Sequence, residues 1–270
     1  MIAGLIGLGM GAATGISARW NWWRPQAHGV PVLMYHKIGI PPKGSKLKKL
    51  WVSPAQFREQ LAYLRAHQYT PILFSEIPKF EARQQGLPPK PVLITFDDGY
   101  ANNYQEAFPI LKDFGMKGNI FLVFETIGKD NVWHEPETEI RIPMLTKEEI
   151  LEMQESGLVE FGSHTMRHRN LDRAPIPDVV WELTESKKRL EELLGRTVDA
   201  FAYPYGSGAF NPRVRQAALE AGYLYDFSVK QGLSPFPWKQ GASPIRRLFI
   251  RGDDFMLDFH LNLTRGRARL

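Results

Sequence analysis

The sequence contains no cysteine among its 270 residues, and this absence limits the chemistry open to it. Disulfide bonds and thiolate metal sites are excluded, so any bound metal must be held by histidine, aspartate or glutamate. The absence does not fix the cellular compartment. With 43% hydrophobic and 23% charged residues, the composition is that of a globular protein with a sizeable core.

The excess of one sign of charge is also small, since 34 lysines and arginines against 29 aspartates and glutamates give a formal net charge of +5. Basic residues cluster at Lys43, Lys46, Lys48 and Lys49 and again at Arg265, Arg267 and Arg269. Neither cluster is interleaved with aromatic residues in the manner of a nucleic-acid surface, so we expect no nucleic-acid partner. Solvated loops explain both clusters, and attraction to an anionic wall or membrane surface is the alternative.

Charged side chains are missing from residues 1–18 as well. A segment of this length can span a bilayer, and the tryptophans that follow it suit the interface. Positive charges come after the apolar run, whereas a cleaved export signal has them before it. We predict that residues 1–18 are an apolar anchor or signal-like segment at the cell envelope or extracellular face. A cytoplasmic protein with a buried N-terminal helix is the alternative. Residues 19–29 are the predicted connector, and residues 30–270 the single domain.

Beyond residue 25, short apolar runs alternate with helical patterns, without a linker or long repeat. The runs are Pro31–Tyr35, Thr70–Leu73, Pro91–Phe96, Asn119–Phe124, Leu158–Gly162, Val198–Tyr203, Tyr225–Val229 and Leu248–Arg251. Continuous apolar runs of this length suit strands that are buried on both faces, as in a parallel sheet. The alternation predicts an α/β fold, a (β/α) barrel of seven or eight strands. An open doubly wound sheet is the alternative.

The predicted helices have recognisable start and stop signals. The pair Ser53-Pro54 begins one helix, Thr146 with Glu149 forms a capping box for another, and Asp178 begins a third that ends at Gly195. A further helix runs from Asn102 to Phe114, with a kink expected at Pro109. The last begins at Asn211-Pro212 and ends at Gly222.

Four polar signatures each follow a predicted strand. They are His36, the run Asp97-Asp98-Gly99, the pair His164 and His168, and the run Pro204-Tyr205-Gly206. The C-terminal ends of the strands of a closed barrel lie at one rim, which is where the catalytic residues of such folds are found. We therefore expect the four signatures to converge there.

The two histidines and the two aspartates together indicate a metal site. Residues four apart share one side of a helical turn, so both imidazoles can reach one ion, and a carboxylate supplies a third ligand. Adjacent acids repel each other unless a cation gives them separate roles. One aspartate can bind the ion while the other accepts a proton from water, which makes amide hydrolysis accessible. An ordinary Asp-Gly turn and a two-histidine, one-carboxylate iron site are the alternatives.

Three of these segments resemble the motifs of a known family. Thr95-Phe96-Asp97-Asp98-Gly99-Tyr100, Ser163-His164-Thr165-Met166-Arg167-His168 and Tyr203-Pro204-Tyr205-Gly206 are similar to the successive motifs of the polysaccharide deacetylases, the NodB-like carbohydrate esterases. The resemblance covers residues 30 to 260. It implies a distorted (β/α) barrel, a divalent metal that is usually zinc, and a hydrolase that acts on acetamido groups of N-acetylglucosamine-containing polysaccharide.

The resemblance also implies roles for individual residues. Asp97 corresponds to the general base, and Asp98, His164 and His168 correspond to the metal ligands. The backbone N–H of Tyr205 corresponds to the group that helps to hold the oxyanion. Oxyanion stabilisation of this kind requires a rigid, preorganised donor.

Two departures from the family pattern concern the residues around the base and the leaving group. Many relatives have an arginine before the Pro-Tyr pair, where this chain has Phe201-Ala202-Tyr203, and we expect Arg247 or Arg251 to replace it. Many relatives also have a histidine motif near the C-terminus, whose histidine protonates the leaving amine, and this chain lacks that motif. Its only late histidine, His260, lies in a predicted amphipathic helix. The segment Met34-Tyr35-His36 resembles the subgroup that acts on poly-N-acetylglucosamine, so we assign the general acid to His36, with a structural histidine as the alternative.

Other expectations concern substrate and function. Trp133, His134, Trp238 and Tyr205 are candidates for a sugar groove, with packing as the equal alternative and a ligand role for His134 as a minor one. An O-acetyl esterase on xylan with the same site, a non-catalytic glycan-binding relative and a non-haem iron oxygenase are the competing functions. The sequence leaves the glycan, the metal and the oligomeric state open.

Overall fold

The structure, a computed structural model, describes residues 20, 22–82, 86–135, 137 and 139–269. Its strands in chain order are β1 (Val32–Tyr35), β2 (Lys37–Ile38), β3 (Trp51–Val52), β4 (Thr70–Pro71), β5 (Pro91–Phe96), β6 (Gly118–Leu122), β7 (Val159–Ser163), β8 (Ala200–Ala202), β9 (Tyr225–Gln231) and β10 (Ile245–Phe249). In this part of the chain β1 and β5 to β10 form a closed parallel ring, because β1 pairs with both β5 and β10. The predicted barrel is confirmed, and the open sheet is wrong.

Each predicted apolar run overlaps a strand, although β10 begins at Ile245, three residues before the predicted run, and one strand, β4, lies outside the ring. In the described residues β4 pairs with the start of β5 alone, where Thr70 lies beside Pro91 and Pro71 beside Val92. The ring therefore has seven members. The two short strands β2 and β3, which pair with each other in a separate parallel sheet, were not predicted.

Seven α-helices connect the strands in the described residues. They are α1 (Pro54–Ala66), α2 (Ile77–Glu81), α3 (Phe108–Phe114), α4 (Lys147–Glu155), α5 (Ile176–Leu194), α6 (Pro212–Glu220) and α7 (Met256–Arg265). The predicted caps on Ser53 and Thr146 are present, and Gly195 ends α5 in the left-handed conformation that glycine adopts without strain. Helix α5 begins at Ile176, two residues before the predicted Asp178, because proline in the first turn is well tolerated.

The predicted helix from Asn102 to Phe114 is divided. Its first part, Asn103–Ala107, is a π-helical turn in which the Phe108 N–H bonds the Asn103 carbonyl. Pro109 lacks the N–H that a regular helix would use at that position, which favours such a widened turn. The turn brings the side chains of Asn102 and Asn103 to the backbone around His36, where they bond Ile38 N and the His36 carbonyl.

The strands of the ring are buried on both faces, except for the end of β9 and Arg246 of β10. Along β1 and β5 alternate side chains belong to two apolar clusters, with Val32 and Leu93 in one and Leu33 and Ile94 in the other. The second cluster includes residues of α1 and α5, so it lies between the sheet and the helices. The period of two predicts that Leu93, Thr95 and Asp97 point to the same side, towards the interior of the ring.

The predicted anchor of residues 1–18 lies outside the described residues. Of the predicted connector, Trp20 donates a hydrogen bond from Nε1 to Asp258, and the Ala27 N–H bonds the Thr264 carbonyl. The described part of the connector therefore packs against α7. No helix in the described ranges is both long enough and apolar enough to cross a bilayer.

Candidate active site

The four polar signatures converge, as predicted, at the C-terminal rim of the ring. His36, Asp97, Asp98, His164, His168 and Tyr205 line one cavity of about 420 Å³. The cavity also has apolar walls, because Leu47, Leu50, Trp133 and Val229 line it as well. The site thus combines buried charged groups with apolar surface.

Asp98, His164 and His168 are the three described residues that cluster with the geometry of a metal site. Their nearest ligand atoms all lie within 4.8 Å of one another. Asp98 Oδ1 is 3.3 Å from His164 Nε2 and 3.2 Å from His168 Nε2. All three side chains are buried, and no other group of described residues forms a comparable cluster.

The protonation of His164 is set by a backbone contact. Its Nδ1 lies 2.7 Å from the Ala202 carbonyl oxygen, which can only accept, so Nδ1 carries a proton and Nε2 is the nitrogen directed towards Asp98. A backbone partner of this kind orients a metal-binding histidine. Burial raises the pKa of the Asp98 carboxyl, but His168 and His164 lower it by more, so that pKa lies well below its ordinary value. Two imidazole nitrogens and one ionised carboxylate fit a divalent metal ion.

The prediction that the two histidines share a helical turn is wrong. Residues 164–168 form an irregular loop, because Thr165 and His168 have φ of 70° and 57°, outside the helical region. Glu182, buried on α5, accepts hydrogen bonds of 2.9 Å from the N–H groups of both Met166 and Arg167. The loop is therefore held by α5, and the spacing of four reflects its fold rather than a helix.

Asp97 does not take part in the metal cluster and is held by Arg247. The Arg247 guanidinium donates from Nη1 to Asp97 Oδ1 at 2.5 Å and from Nη2 to Oδ2 at 2.8 Å. Burial raises the pKa of the Asp97 carboxyl, but Arg247 and then His164 lower it by more, so the group is held ionised. Arg251, the other candidate, instead pairs with Asp253.

His36 lies in the cavity beside the two aspartates. Its ring is 5.8 Å from that of Phe249, and its Nδ1 is buried without a hydrogen-bond partner among the described residues. Burial lowers the pKa of His36, and the nearby Asp97 and Asp98 oppose this shift. His260 lies on α7 with its Nδ1 2.6 Å from the Tyr63 hydroxyl, and it is not among the residues that line the cavity.

Tyr205 lines the cavity from a constrained turn. Its φ of 58° and ψ of 7° are left-handed, in a short helical turn from Pro204 to Gly206. An N–H at the second position of a helix has no intrahelical acceptor, so it is available to a ligand. Gly206 is required here, because a Cβ at that position would collide with Val229.

Backbone strain is concentrated at this site. Of the six described non-glycine residues with positive φ, four are Asp98, Thr165, His168 and Tyr205. Such conformations cost on the order of 1–3 kcal/mol each and persist where surrounding contacts enforce them. Asp98, His168 and Tyr205 line the cavity, so the strained backbone is concentrated around it.

Three of the four candidates for a sugar groove, Trp133, His134 and Tyr205, line the cavity. The Trp133 ring lies 4.5 Å from that of His168. The proposal for Trp238 is wrong. Its side chain is buried against Phe227 and Phe236 and bonds the Ser234 carbonyl, because that segment closes an apolar cluster away from the cavity.

Several residues at the site were not predicted from the sequence. Glu139 lines the cavity, and Glu182 holds the loop of the histidines. Glu182 could have been found, because it is a charged residue on the otherwise apolar face of α5 that Val179, Leu183 and Leu190 form. Glu139 lies in an irregular segment and has no such signal.

A comparison with protein families identifies the chain. The model of the polysaccharide deacetylase family matches residues 84–225, more than half of the sequence. The chain belongs to the polysaccharide deacetylase family. That range contains Asp97, Asp98, both histidines of the metal cluster and Tyr205, whereas His36 and Arg247 lie outside it.

Individual relatives support this membership. The Bacillus subtilis protein YxkH is 30% identical over 203 residues, which are 75% of this chain and 65% of that protein. The poly-β-1,6-N-acetyl-D-glucosamine N-deacetylase of Staphylococcus aureus is 28% identical over 69% of this chain and 63% of its own length. The crystal structure of a polysaccharide deacetylase from Bacillus cereus superposes with a TM-score of 0.72 at 27% identity, over 87% of this chain and 69% of that one. The chain thus spans less than two thirds of the length of these two curated relatives.

Proposed function

We propose that this protein hydrolyses acetamido groups on an N-acetylglucosamine-containing polysaccharide and releases acetate. The observation that carries the proposal is the position of Asp97. It is an ionised carboxylate, fixed by Arg247, next to the cluster of Asp98, His164 and His168 but outside it. A binding domain has no need for a separately held base beside a metal cluster, and an iron oxygenase has no evident use for one.

The cluster would hold a divalent metal ion through Asp98 and the two histidines. We propose zinc, because a mixed set of imidazole nitrogen and carboxylate ligands with open positions is typical of catalytic zinc sites. When bound, such an ion polarises a carbonyl group and increases the acidity of water.

The side chains of the protein then supply the remaining steps. Asp97 accepts a proton from the attacking water while the water oxygen bonds the acetyl carbon. The Tyr205 N–H donates a hydrogen bond to the oxyanion of the tetrahedral intermediate. His36 donates a proton to the nitrogen as the carbon–nitrogen bond breaks. The products are acetate and a free amino sugar, and Asp97 then returns its proton to solvent while His36 takes one up, which restores both groups.

The choice of substrate rests on the relatives and on the shape of the cavity. The Staphylococcus aureus relative is named for action on poly-β-1,6-N-acetyl-D-glucosamine, and the early His36 matches the pattern of that subgroup. A cavity with apolar walls around a charged floor suits the methyl group and ring face of an acetylated sugar. We propose, accordingly, that the protein acts on polymer at the cell envelope.

A panel of acetylated glycans tests this proposal. The purified protein is incubated with oligomers of β-1,6- and β-1,4-linked N-acetylglucosamine, with peptidoglycan and with acetylxylan, and released acetate and free amine are measured together. We expect equal amounts of acetate and amine from an N-acetylglucosamine oligomer. Acetate from acetylxylan alone would favour the O-acetyl esterase, and no acetate from any of them would favour a binding domain.

A further inference from the structure

Two irregular segments form part of the cavity wall and are joined to each other. The lysine loop comprises residues 43–50 and contributes Leu47 and Leu50 to the cavity. The tryptophan loop comprises residues 131–135, 137 and 139–142 and contributes Trp133, His134 and Glu139. The loops are about 90 residues apart in sequence, so their relative position depends on contacts between them.

Glu139 makes those contacts with its carboxylate. Its Oε1 accepts a hydrogen bond of 2.6 Å from the Ser45 hydroxyl, and its Oε2 accepts bonds of 2.8 Å from the N–H groups of both Lys46 and Leu47. The Lys46 ammonium also bonds the Glu137 carbonyl. Glu139 is only 1% exposed, so these charge-assisted bonds are shielded from water.

The tryptophan loop is itself anchored at its base. The Asn131 N–H bonds the Ile142 carbonyl, and the Ile142 N–H returns a bond of 2.6 Å to the Asn131 side chain. Asp130 and Pro143 continue this pairing outside the loop. Glu139 therefore projects from a closed loop, and the lysine loop is the partner that it positions.

Leu47 connects this link to the cavity, which it lines. Its side chain is 37% exposed. Glu139 holds the backbone at this point, because it accepts hydrogen bonds from the N–H group of Leu47 itself and from that of Lys46. An apolar side chain fixed over a charged cavity floor offers a contact for the methyl group or the apolar ring face of an acetylated sugar. A loop without the Glu139 carboxylate would leave three hydrogen-bond donors without their acceptor and would not hold Leu47 in one place.

We propose that Glu139 is a positioning residue for substrate binding, which fixes Leu47 and Leu50 as an apolar contact surface for the acetylated sugar. This inference rests on the proposed function. Glu139 acts through the lysine loop and does not itself bind metal or transfer a proton.

Steady-state kinetics on an N-acetylglucosamine oligomer test the inference. We expect Glu139→Ala to raise KM about tenfold while kcat stays within about twofold, because only a uniform binding contact is lost. Metal content should not change. Glu139→Gln should restore most of the affinity, since its amide oxygen can accept from both N–H groups and its NH₂ can donate to Ser45 Oγ. Glu137→Ala, which removes an exposed carboxylate from the same loop, is the matched control.

A double-mutant cycle with Leu47→Ser separates positioning from a general effect on stability. If Glu139 acts through Leu47, the double variant should have the KM of either single variant, because both remove the same contact. The inference would be overturned if the two increases in KM multiplied in the double variant, if Glu139→Ala left KM unchanged, or if Glu139→Ala lowered kcat alone. Should Glu139→Ala not fold, Glu139→Asp takes its place, because it keeps the charge but is one methylene too short.

Hydrogen exchange distinguishes this inference from the proposed function. The Lys46 and Leu47 amides should exchange slowly in the wild type and faster in Glu139→Ala or Glu139→Asp, with no glycan present. If the wild type released no acetate from any glycan, the proposed function would fail. Hydrogen exchange would then still test whether Glu139 holds the lysine loop. Unchanged exchange in the variant would show that Glu139 does not hold the loop.

Discussion

Arg247, from β10, and Asp97, at the end of β5, form a buried bidentate ion pair with hydrogen bonds of 2.5 and 2.8 Å. Neither side chain has more than 3% of its surface exposed. The guanidinium also donates from Nε to the Ser228 carbonyl and stacks on Phe121, so its plane is fixed. This arrangement keeps the carboxylate ionised and directed into the cavity.

Replacing Arg247 by Met should therefore impair both stability and catalysis. Breaking a buried pair from one side costs about 3–5 kcal/mol, because the other charge stays buried without its partner. The pKa of Asp97 should rise, so the acid limb of the kcat profile should move to higher pH. Urea unfolding and a pH–rate profile measure the two effects. Arg251→Ala, which removes a more exposed pair with Asp253, is the control. An unshifted acid limb would show that Arg247 does not tune the base.

Asp97→Asn and Asp98→Asn should separate the two adjacent aspartates. We expect Asp97→Asn to keep its metal but to lose about 10²- to 10⁴-fold in kcat, the range for removal of a general base. Asp98→Asn should lose metal, because Asp98 is the carboxylate that both histidines contact. Metal analysis of dialysed protein beside kinetic assays gives the comparison. Wild-type turnover in Asp97→Asn would refute its role as the base.

His36→Ala should retain metal and fold but lose about 100-fold or more in kcat, as expected for loss of a general acid. The loss should be smaller on a substrate whose leaving group needs no proton, such as an aryl acetate. His260→Ala is a matched control, because His260 lies on α7 and does not line the cavity. Equal losses on both kinds of substrate would indicate a structural rather than a proton-transfer role for His36.

Glu182→Ala should weaken metal binding although Glu182 does not touch the cluster. Its carboxylate accepts the Met166 and Arg167 N–H groups and so holds the loop that carries His168. Each buried donor left unpaired costs about 1–3 kcal/mol. Competition with a chromophoric chelator measures zinc affinity, and Glu185→Ala on the same helix is the control. Unchanged affinity with reduced stability would limit Glu182 to a folding role.

The stability of the protein should depend on Asp254 between about pH 4 and pH 6. Burial raises the pKa of Asp254 from 3.8 to about 6. The folded chain binds more protons than the unfolded chain in that range, so this carboxyl makes the protein less stable as pH rises, and its penalty is complete above pH 6. The penalty is at most about 3 kcal/mol, for a shift of roughly two pKa units.

Asp254→Asn removes that dependence. The melting temperature of the variant relative to the wild type should increase as pH rises from about 4 to 7, whatever the offset from lost contacts. Thermal unfolding at several pH values provides the comparison. A difference that is constant across this range would mean that Asp254 titrates normally in the folded protein.

The sequence predicted the parts of the site that rest on strand ends. Apolar runs locate the strands, and a closed parallel ring requires that residues after those strands share a rim. That argument placed His36, Asp97, Asp98 and Tyr205 correctly in one cavity. The residues themselves indicated a metal site and hydrolysis, and the family motifs then assigned the roles of base, metal ligand and oxyanion donor to individual residues.

The parts that could not be predicted depend on irregular backbone and on long-range pairing. The left-handed residues Thr165 and His168 replace the expected helical turn, and no periodic pattern indicates such a conformation. The partner of Asp97 could be narrowed to two arginines but not chosen between them, because β10 starts at Ile245, three residues before the predicted apolar run, and so contains Arg247 rather than Arg251. The Glu139 link joins two loops across about 90 residues, and nothing local marks it.

Acetate release with and without a chelator tests the proposed chemistry most directly. The substrate is an N-acetylglucosamine oligomer, and the three samples are protein as purified, protein treated with chelator, and treated protein to which zinc is restored. We predict acetate and free amine in equal amounts, loss of both after chelation, and recovery with zinc. Turnover that persists at the same rate after complete metal removal would contradict a function for the cluster of Asp98, His164 and His168.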